Sequence, residues 1–274
     1  MQNFVFRDSN FDLKNSQQYC LSIQADLDGF SFVIRQNQNS QIAIIHTLSF
    51  KLSHYGILAR KIQELSEEYE LLKGNFDKIQ VFLPGYHPGI FSGDLHYEKE
   101  IRNSLLEKKS LKNRSRTVSS VPILSGYQLC WLIDLTLKET ILEYYPKADI
   151  RHYAIPLFHY FKLMHNDANK EWFCYFSKKE ICFFGFNQGQ FCFFNEFSCI
   201  DEQDVLYYLM AIIKLPGMEN AGLTIIGQEE KKEMIRKYCL DNGIMVVSHH
   251  PEIRLPQMVH DSPPIVNDLI PLLI

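Results

Sequence analysis

One pattern occurs twice in this chain. Residues 19–50 (YCLSIQADLDGFSFVIRQNQNSQIAIIHTLSF) run as three short alternating segments with tight polar turns, and a helical segment follows. Residues 171–199 (EWFCYFSKKEICFFGFNQGQFCFFNEFSC) repeat that order, again ahead of a helical segment. A three-stranded meander that feeds a helix, present in both halves, constrains the chain to a duplicated α/β architecture. Two lobes are expected, 1–150 and 151–274, with a cleft between them.

The remaining elements extend the duplication. In the first half, strands are expected at 21–25, 27–35 and 41–48, turning at Asp28-Gly29 and at Asn37-Gln38-Asn39-Ser40. Residues 54–72 place Ile57, Leu58, Ile62, Leu65, Tyr69 and Leu72 at helical spacing, with Gly74 as the stop. A strand at 78–83 ends at Pro84-Gly85, and strands at 127–134 and 150–154 flank a helix at 135–145. The second half opens with an apolar helix at 157–164. Its meander turns at Ser177-Lys178-Lys179 and Asn187-Gln188-Gly189. A helix over 201–215 with Asp201 as N-cap, a strand at 223–226, a helix at 229–242 and a strand at 244–247 complete it. Strands separated by helices at this spacing predict parallel crossovers, hence mixed sheets flanked by helices.

Composition narrows the function classes. With 46% apolar and 22% charged residues and a net charge of −4, the chain is long enough for two ordinary cores but lacks the basic excess of a nucleic-acid binder. Residues 98–116 concentrate Lys and Arg, diluted by glutamates and without interleaved aromatics, so a solvated helix and loop is favoured over a phosphate patch. Residues 1–17 have no signal-peptide core, and no apolar run approaches the ~20 residues of a membrane span. The expected location is cytoplasmic, with no direct membrane span. The seven cysteines form no CxxC pair and sit in strand-like runs, so they read as buried, reduced thiols.

The order β-β-β-α-β-α-β, twice over, resembles the actin-like ATPase fold of the sugar kinase/actin/heat-shock superfamily, whose lobes are ribonuclease-H-like. More closely, the chain is similar to an uncharacterised bacterial family of unknown function with that fold. The residues that carry the likeness are LSIQADLDGFSFVIR (21–35), VFLP (81–84) and YPKADIRHYAIPLF (145–158). At the level of fold it is also similar to actin-like cytoplasmic components of pilus-assembly and secretion machines.

That superfamily binds nucleotide between its lobes, so the resemblance nominates sites one by one. The first phosphate loop falls on Asp26-Leu27-Asp28-Gly29-Phe30-Ser31, where Asp26, Gly29 and Ser31 supply the acid, the glycine and the hydroxyl. The glycine comes a residue late and Phe30 intrudes, so a plain hairpin turn accounts for the motif. The second loop falls on Phe176-Ser177-Lys178-Lys179-Glu180, which has neither Asp nor Gly; Lys178 could offer charge but no backbone cradle. The adenosine element falls on 223–228 (LTIIGQ) and retains one glycine, Gly227.

Other constellations are weaker. His249, His250, His260 and Asp261 lack metal-ligand spacing, and His152, His159 and His165 read as structural. A ribonuclease-H-like nuclease would need acids beyond Asp26 and Asp134. The apolar end, 262–274 (SPPIVNDLIPLLI), either folds back on its own core or docks on a partner. The favoured expectation is a catalytically degenerate actin-like scaffold or adaptor with an unidentified protein partner, no nucleic acid and no cofactor; a homodimer is compatible. The alternative is an active ATPase or small-molecule kinase that uses Mg-ATP in the interlobe cleft.

Overall fold

The computed structural model describes residues 4–92, 116–177, 179–227, 229–247 and 269–273. The chain divides into two compact units, with the main boundary between Ile155 and Pro156.

The first unit starts with β1 (Phe4–Arg7) and a 3-10 turn (Leu13–Gln18), then the meander β2 (Tyr19–Asp26), β3 (Gly29–Gln36) and β4 (Ile42–Ser49). Helix α1 (Tyr55–Glu68) and a 3-10 turn (Glu70–Lys73) lead into β5 (Lys78–Leu83). Next come β6 (Tyr86–Ser92), β7 (Arg116–Leu124) and β8 (Tyr127–Asp134), then α2 (Leu135–Tyr144) and β9 (Asp149–His152). The main sheet has the order β1-β4-β3-β2-β5-β9. It is antiparallel through the meander and parallel at β2–β5 and β5–β9.

Register explains the core. Leu21 lies opposite Ile34, Ile23 opposite Phe32, and Ala25 opposite Phe30, and all six are buried on one sheet face. Helix α1 buries Leu58, Ile62 and Leu65 along one stripe. Ser66 Oγ and Tyr145 Oη, 3.0 Å apart and buried, join α1 to the end of α2.

Several expectations need correction here. The helix stops at Glu68 because Tyr69 turns extended (φ −90°, ψ 107°). Its ring thereby meets His46 at 4.9 Å and Phe32 at 6.5 Å. Gly74 is no left-handed cap (φ −63°); an added Cβ would lie 2.9 Å from the Phe76 ring. The first hairpin turns at Leu27-Asp28, since Gly29 already pairs with Asp26. Strands β1, β6 and β7 escaped the sequence reading, and β6, β8 and β7 form a separate three-stranded sheet. Pro88 in β6 and Pro122 in β7 break the alternation that would have marked them. The basic stretch lies outside the described residues, apart from Arg116, whose guanidinium sits 3.6 Å from the Tyr86 ring centre.

The second unit takes most of α3 (Ala154–Met164), then the meander β10 (Lys170–Phe176), β11 (Glu180–Asn187) and β12 (Gln190–Ser198). Helix α4 (Glu202–Ile213), β13 (Gly222–Gly227), α5 (Glu229–Asp241) and β14 (Val246–Val247) follow. Its sheet order, β12-β11-β10-β13-β14, repeats β4-β3-β2-β5-β9 of the first unit position for position. The duplication is therefore real at the level of topology.

Both faces of this sheet are covered. Trp172, Cys174, Phe176, Ile181 and Phe183 pack with Val205, Leu209 and Ile212 of α4 and with Ile235 and Cys239 of α5. On the other face Phe158 lies 6.3 Å from Phe184, and Phe161 stacks on Phe173 at 4.8 Å. The cover over the second face is thus α3. Burial of each such ring contributes about 2–3 kcal/mol, which explains phenylalanine on both faces of β11. The chain ends in a helical turn (Ile270–Leu273). Leu269, Leu272 and Leu273 are buried, and the Leu273 carbonyl accepts a hydrogen bond from Arg35 Nη1 at 3.4 Å. No helix among the described residues is long and apolar enough to cross a membrane.

His152 stands at the start of α3. It is fully buried, stacked on Tyr153 at 4.6 Å, and its Nδ1 accepts the Ala154 N–H at 3.2 Å. Burial lowers its pKa from 6.5 to about 3, so the folded protein holds it neutral. A proton on Nδ1 would also break the bond to Ala154. The unfolded chain takes up that proton near pH 6.5, so the stability is complete above that value and is lost as pH falls toward about 3. Between pH 7 and pH 5 this one group should remove about 2 kcal/mol. His152→Asn keeps an acceptor for Ala154 and does not titrate, so its unfolding free energy from urea titration should fall less between the two pH values, by that amount. Equal slopes for both proteins would refute the assignment.

Candidate functional site

Two hairpin turns at the carboxyl ends of equivalent strands, one per unit, are where the resemblance places phosphate. The first follows β2. Pairing sets Asp26 opposite Gly29 and Gln24 opposite Ser31, while Ser49 and Thr47 of β4 lie beside Gly29 and Ser31. Asp26, Gly29 and Ser31 are thus brought to one sheet face, in a polar row with Gln24, Thr47 and Ser49. The last three were not singled out from sequence, although the polar alternation Ser22, Gln24, Asp26 carries that signal.

The turn itself is tied inward. Asp26 Oδ1 accepts from the following amide, Leu27, at 2.6 Å. The carbonyls of Leu27 and Asp28 accept from Leu52 and Phe50, at 2.8 and 3.3 Å, so the turn is fastened to the segment that leaves β4. Gly29 owes its identity to that neighbour as well: a Cβ there would stand 2.8 Å from the Leu48 carbonyl oxygen. Asp134, the second acid of the nuclease reading, caps α2 by accepting the Leu137 N–H at 3.1 Å.

The second turn follows β10. Ser177 Oγ accepts the amides of Lys179 at 3.4 Å and Glu180 at 3.0 Å, and donates to Glu180 Oε2 at 2.6 Å. Ser177 N–H donates to the Glu180 carbonyl at 3.0 Å, and the Ser177 carbonyl accepts from Lys231 Nζ at 3.0 Å. Lys178 lies outside the described residues. Ser177, Glu180 and Lys231 were not named from sequence. The Ser-x-x-Glu spacing is a local signal for the first two, whereas Lys231 reaches the turn from α5 and has none.

Gly227 ends β13 at φ +131°, a conformation that side chains rarely adopt. A Cβ would lie 2.5 Å from the Phe176 carbonyl oxygen and 2.9 Å from its nitrogen. The glycine is required for strand packing at the base of the second turn. Cys199, which follows β12, is pushed up to about 11 by burial despite the opposing pull of Lys231. Cys239 is likewise raised by burial, to about 11. Such thiols stay protonated at neutral pH and are poor nucleophiles. Among the described residues no group of three or more His, Cys, Asp and Glu could hold a metal ion; the His249–His260 cluster lies outside them. The packing around Gly227 sets an expected outcome. Gly227→Ala should cost about 3 kcal/mol or more in urea unfolding, from strain and backbone overlap. A cost within experimental error of zero would contradict this geometry.

Known structures share this architecture. A crystal structure from Bacteroides thetaiotaomicron, a protein with actin-like ATPase fold and unknown function, matches with a TM-score of 0.75 at 20% identity, covering 96% of this chain and 98% of that one. A chain of the PilM-PilN type IV pilus biogenesis complex matches at TM-score 0.59 and 8% identity, covering 93% and 97%. The ethanolamine utilization protein EutJ from Carboxydothermus hydrogenoformans matches at 0.50 and 9%, covering 93% and 90%. No curated protein matches the chain. The fold is the actin-like ATPase fold. The family model described as protein of unknown function (DUF3822) matches residues 8–239, and the chain belongs to that family.

Proposed function

We propose that this chain is a catalytically degenerate actin-like protein that works as a scaffold or adaptor through protein–protein contacts. The observation that supports it best is the second hairpin turn. A phosphate cradle needs backbone N–H groups aimed at the ligand and residues that tolerate its close approach. Here the amides of Lys179 and Glu180 go to Ser177 Oγ, and Ser177 N–H goes to Glu180. The glycine beside them is filled by the Phe176 backbone. In this reading the protein is cytoplasmic, acts without a cofactor and meets a protein partner, not nucleic acid. The fold is also found in a chain of the PilM-PilN complex, an assembly made by protein contacts.

The alternative, a nucleotide-binding ATPase or small-molecule kinase, draws on the polar row of Asp26, Ser31, Thr47 and Ser49 beside the first turn. Calorimetric titration with Mg-ATP separates the two. No heat of binding at millimolar nucleotide is the expected result. Tight binding that Asp26→Ala abolishes would establish the alternative and overturn the proposal.

A further inference from the structure

The two sheets match in strand order but differ at one end. In the first unit the outer edge of β4 is closed by β1, which pairs antiparallel from Phe4 opposite Thr47 to Arg7 opposite Ile44. In the second unit β12 occupies the same end, and no strand among the described residues pairs with its outer edge. An open strand edge is a template for another strand, and monomeric proteins protect it with lysine, proline, inward charge or short length. β12 is nine residues long, QFCFFNEFS, with neither Lys nor Pro, and its one charged residue, Glu196, is half-buried and accepts from Cys182 Sγ at 3.3 Å.

Backbone geometry shows which groups face outward. Cys199 N–H donates to the Lys179 carbonyl at 2.6 Å, just beyond the strand end. Counting back by twos along an antiparallel ladder, Phe197, Asn195 and Phe193 bond inward to β11. Phe194, Glu196 and Ser198 therefore turn their N–H and C=O outward. In keeping with this, the Glu196 N–H is held at 2.9 Å by the Asn195 side-chain oxygen and not by the ladder. A bulge beside Gly185 and Phe186 interrupts the pairing near Cys192, so residues 193–198 form the regular part of the edge.

We propose that this edge is a homodimerisation site, where β12 of one copy pairs antiparallel with β12 of a second copy about a two-fold axis. Self-pairing suits the sequence. Centred on Asn195, it sets Glu196 against Phe194 and Phe197 against Phe193. This register opposes no two like charges and sets aromatics across the join. Exposed apolar residues flank the strand. Ile200, just past its end, is 96% exposed, and Tyr207 is 69% exposed beside Tyr208, which stacks on Phe197 at 4.2 Å. The closed edge of the first unit shows the kind of occupant this position takes, an antiparallel strand. The pairing does not depend on what either hairpin turn binds.

Sedimentation of the full chain over a dilution series tests the assignment. Wild-type protein should have twice the single-chain mass at high concentration and the single-chain mass when dilute. Glu196→Pro removes an outward N–H without removing a ladder bond, and it should stay at the single-chain mass while keeping the wild-type circular dichroism. A wild-type protein that stays single throughout, or a folded Glu196→Pro protein that still dimerises, overturns the site. Should the proline variant fail to fold, amide exchange in the wild type decides. Exchange at Phe194 and Ser198 that slows as concentration rises supports the pairing, and exchange independent of concentration overturns it.

Discussion

Each unit hangs on its first parallel strand pair, β2 with β5 and β10 with β13. Parallel neighbours cannot be joined by a tight turn, so the chain must leave the sheet, cross over as a helix and return. In the first unit α1 makes that crossing, and in the second α4 does. A crossing helix buries one sheet face, and the meander strands then need apolar residues there. The same pair fixes where β2 and β10 end, and so where the two hairpin turns stand. Fold and candidate site are set by the same constraint.

At those turns, equivalent positions have been filled by different chemistry. The first is fastened through its carbonyls to the segment after β4, and its aspartate turns back on its own chain. The second closes around one serine hydroxyl and is fastened by a lysine from α5. Each solution satisfies the turn locally, and neither copies the other. Topology has been preserved between the units more strictly than the residues at the strand ends.

Much of this was legible in the sequence, for identifiable reasons. The period-two runs and their Asn, Asp and Gly turns located the strands of both meanders, and KIQVFL marked β5 residue for residue. Asp201 announced α4 because an N-cap is a local interaction, here with the amides of Gln203 and Asp204. What was hidden depended on distant partners. Tyr69 leaves the helix for rings on β3 and β4, Gly29 answers to Leu48, and Gly227 answers to Phe176. Helix α3 read as an apolar helix, but nothing local said that it covers the phenylalanine face of β10 and β11. At the candidate site the acid, glycine and hydroxyl of the first turn were readable; the lysine that fastens the second turn was not.

The small sheet of β6, β7 and β8 enters the chain directly after β5 and leaves it directly into α2. Its own core, Cys130 and Leu132 with Tyr86, Phe91 and Val118, borrows no strand from the main sheet. Entry is held by Gly85, which lies so close to Trp131 that a Cβ would stand 2.4 Å from its ring, and exit by Asp134, which caps α2. The module is thus an insertion held at its two ends and, along its strands, by Trp131 beside His152 and Tyr86 beside Tyr55. Its length and surface can drift in evolution, or be exchanged by an engineer, while the strand order of the host sheet is left untouched.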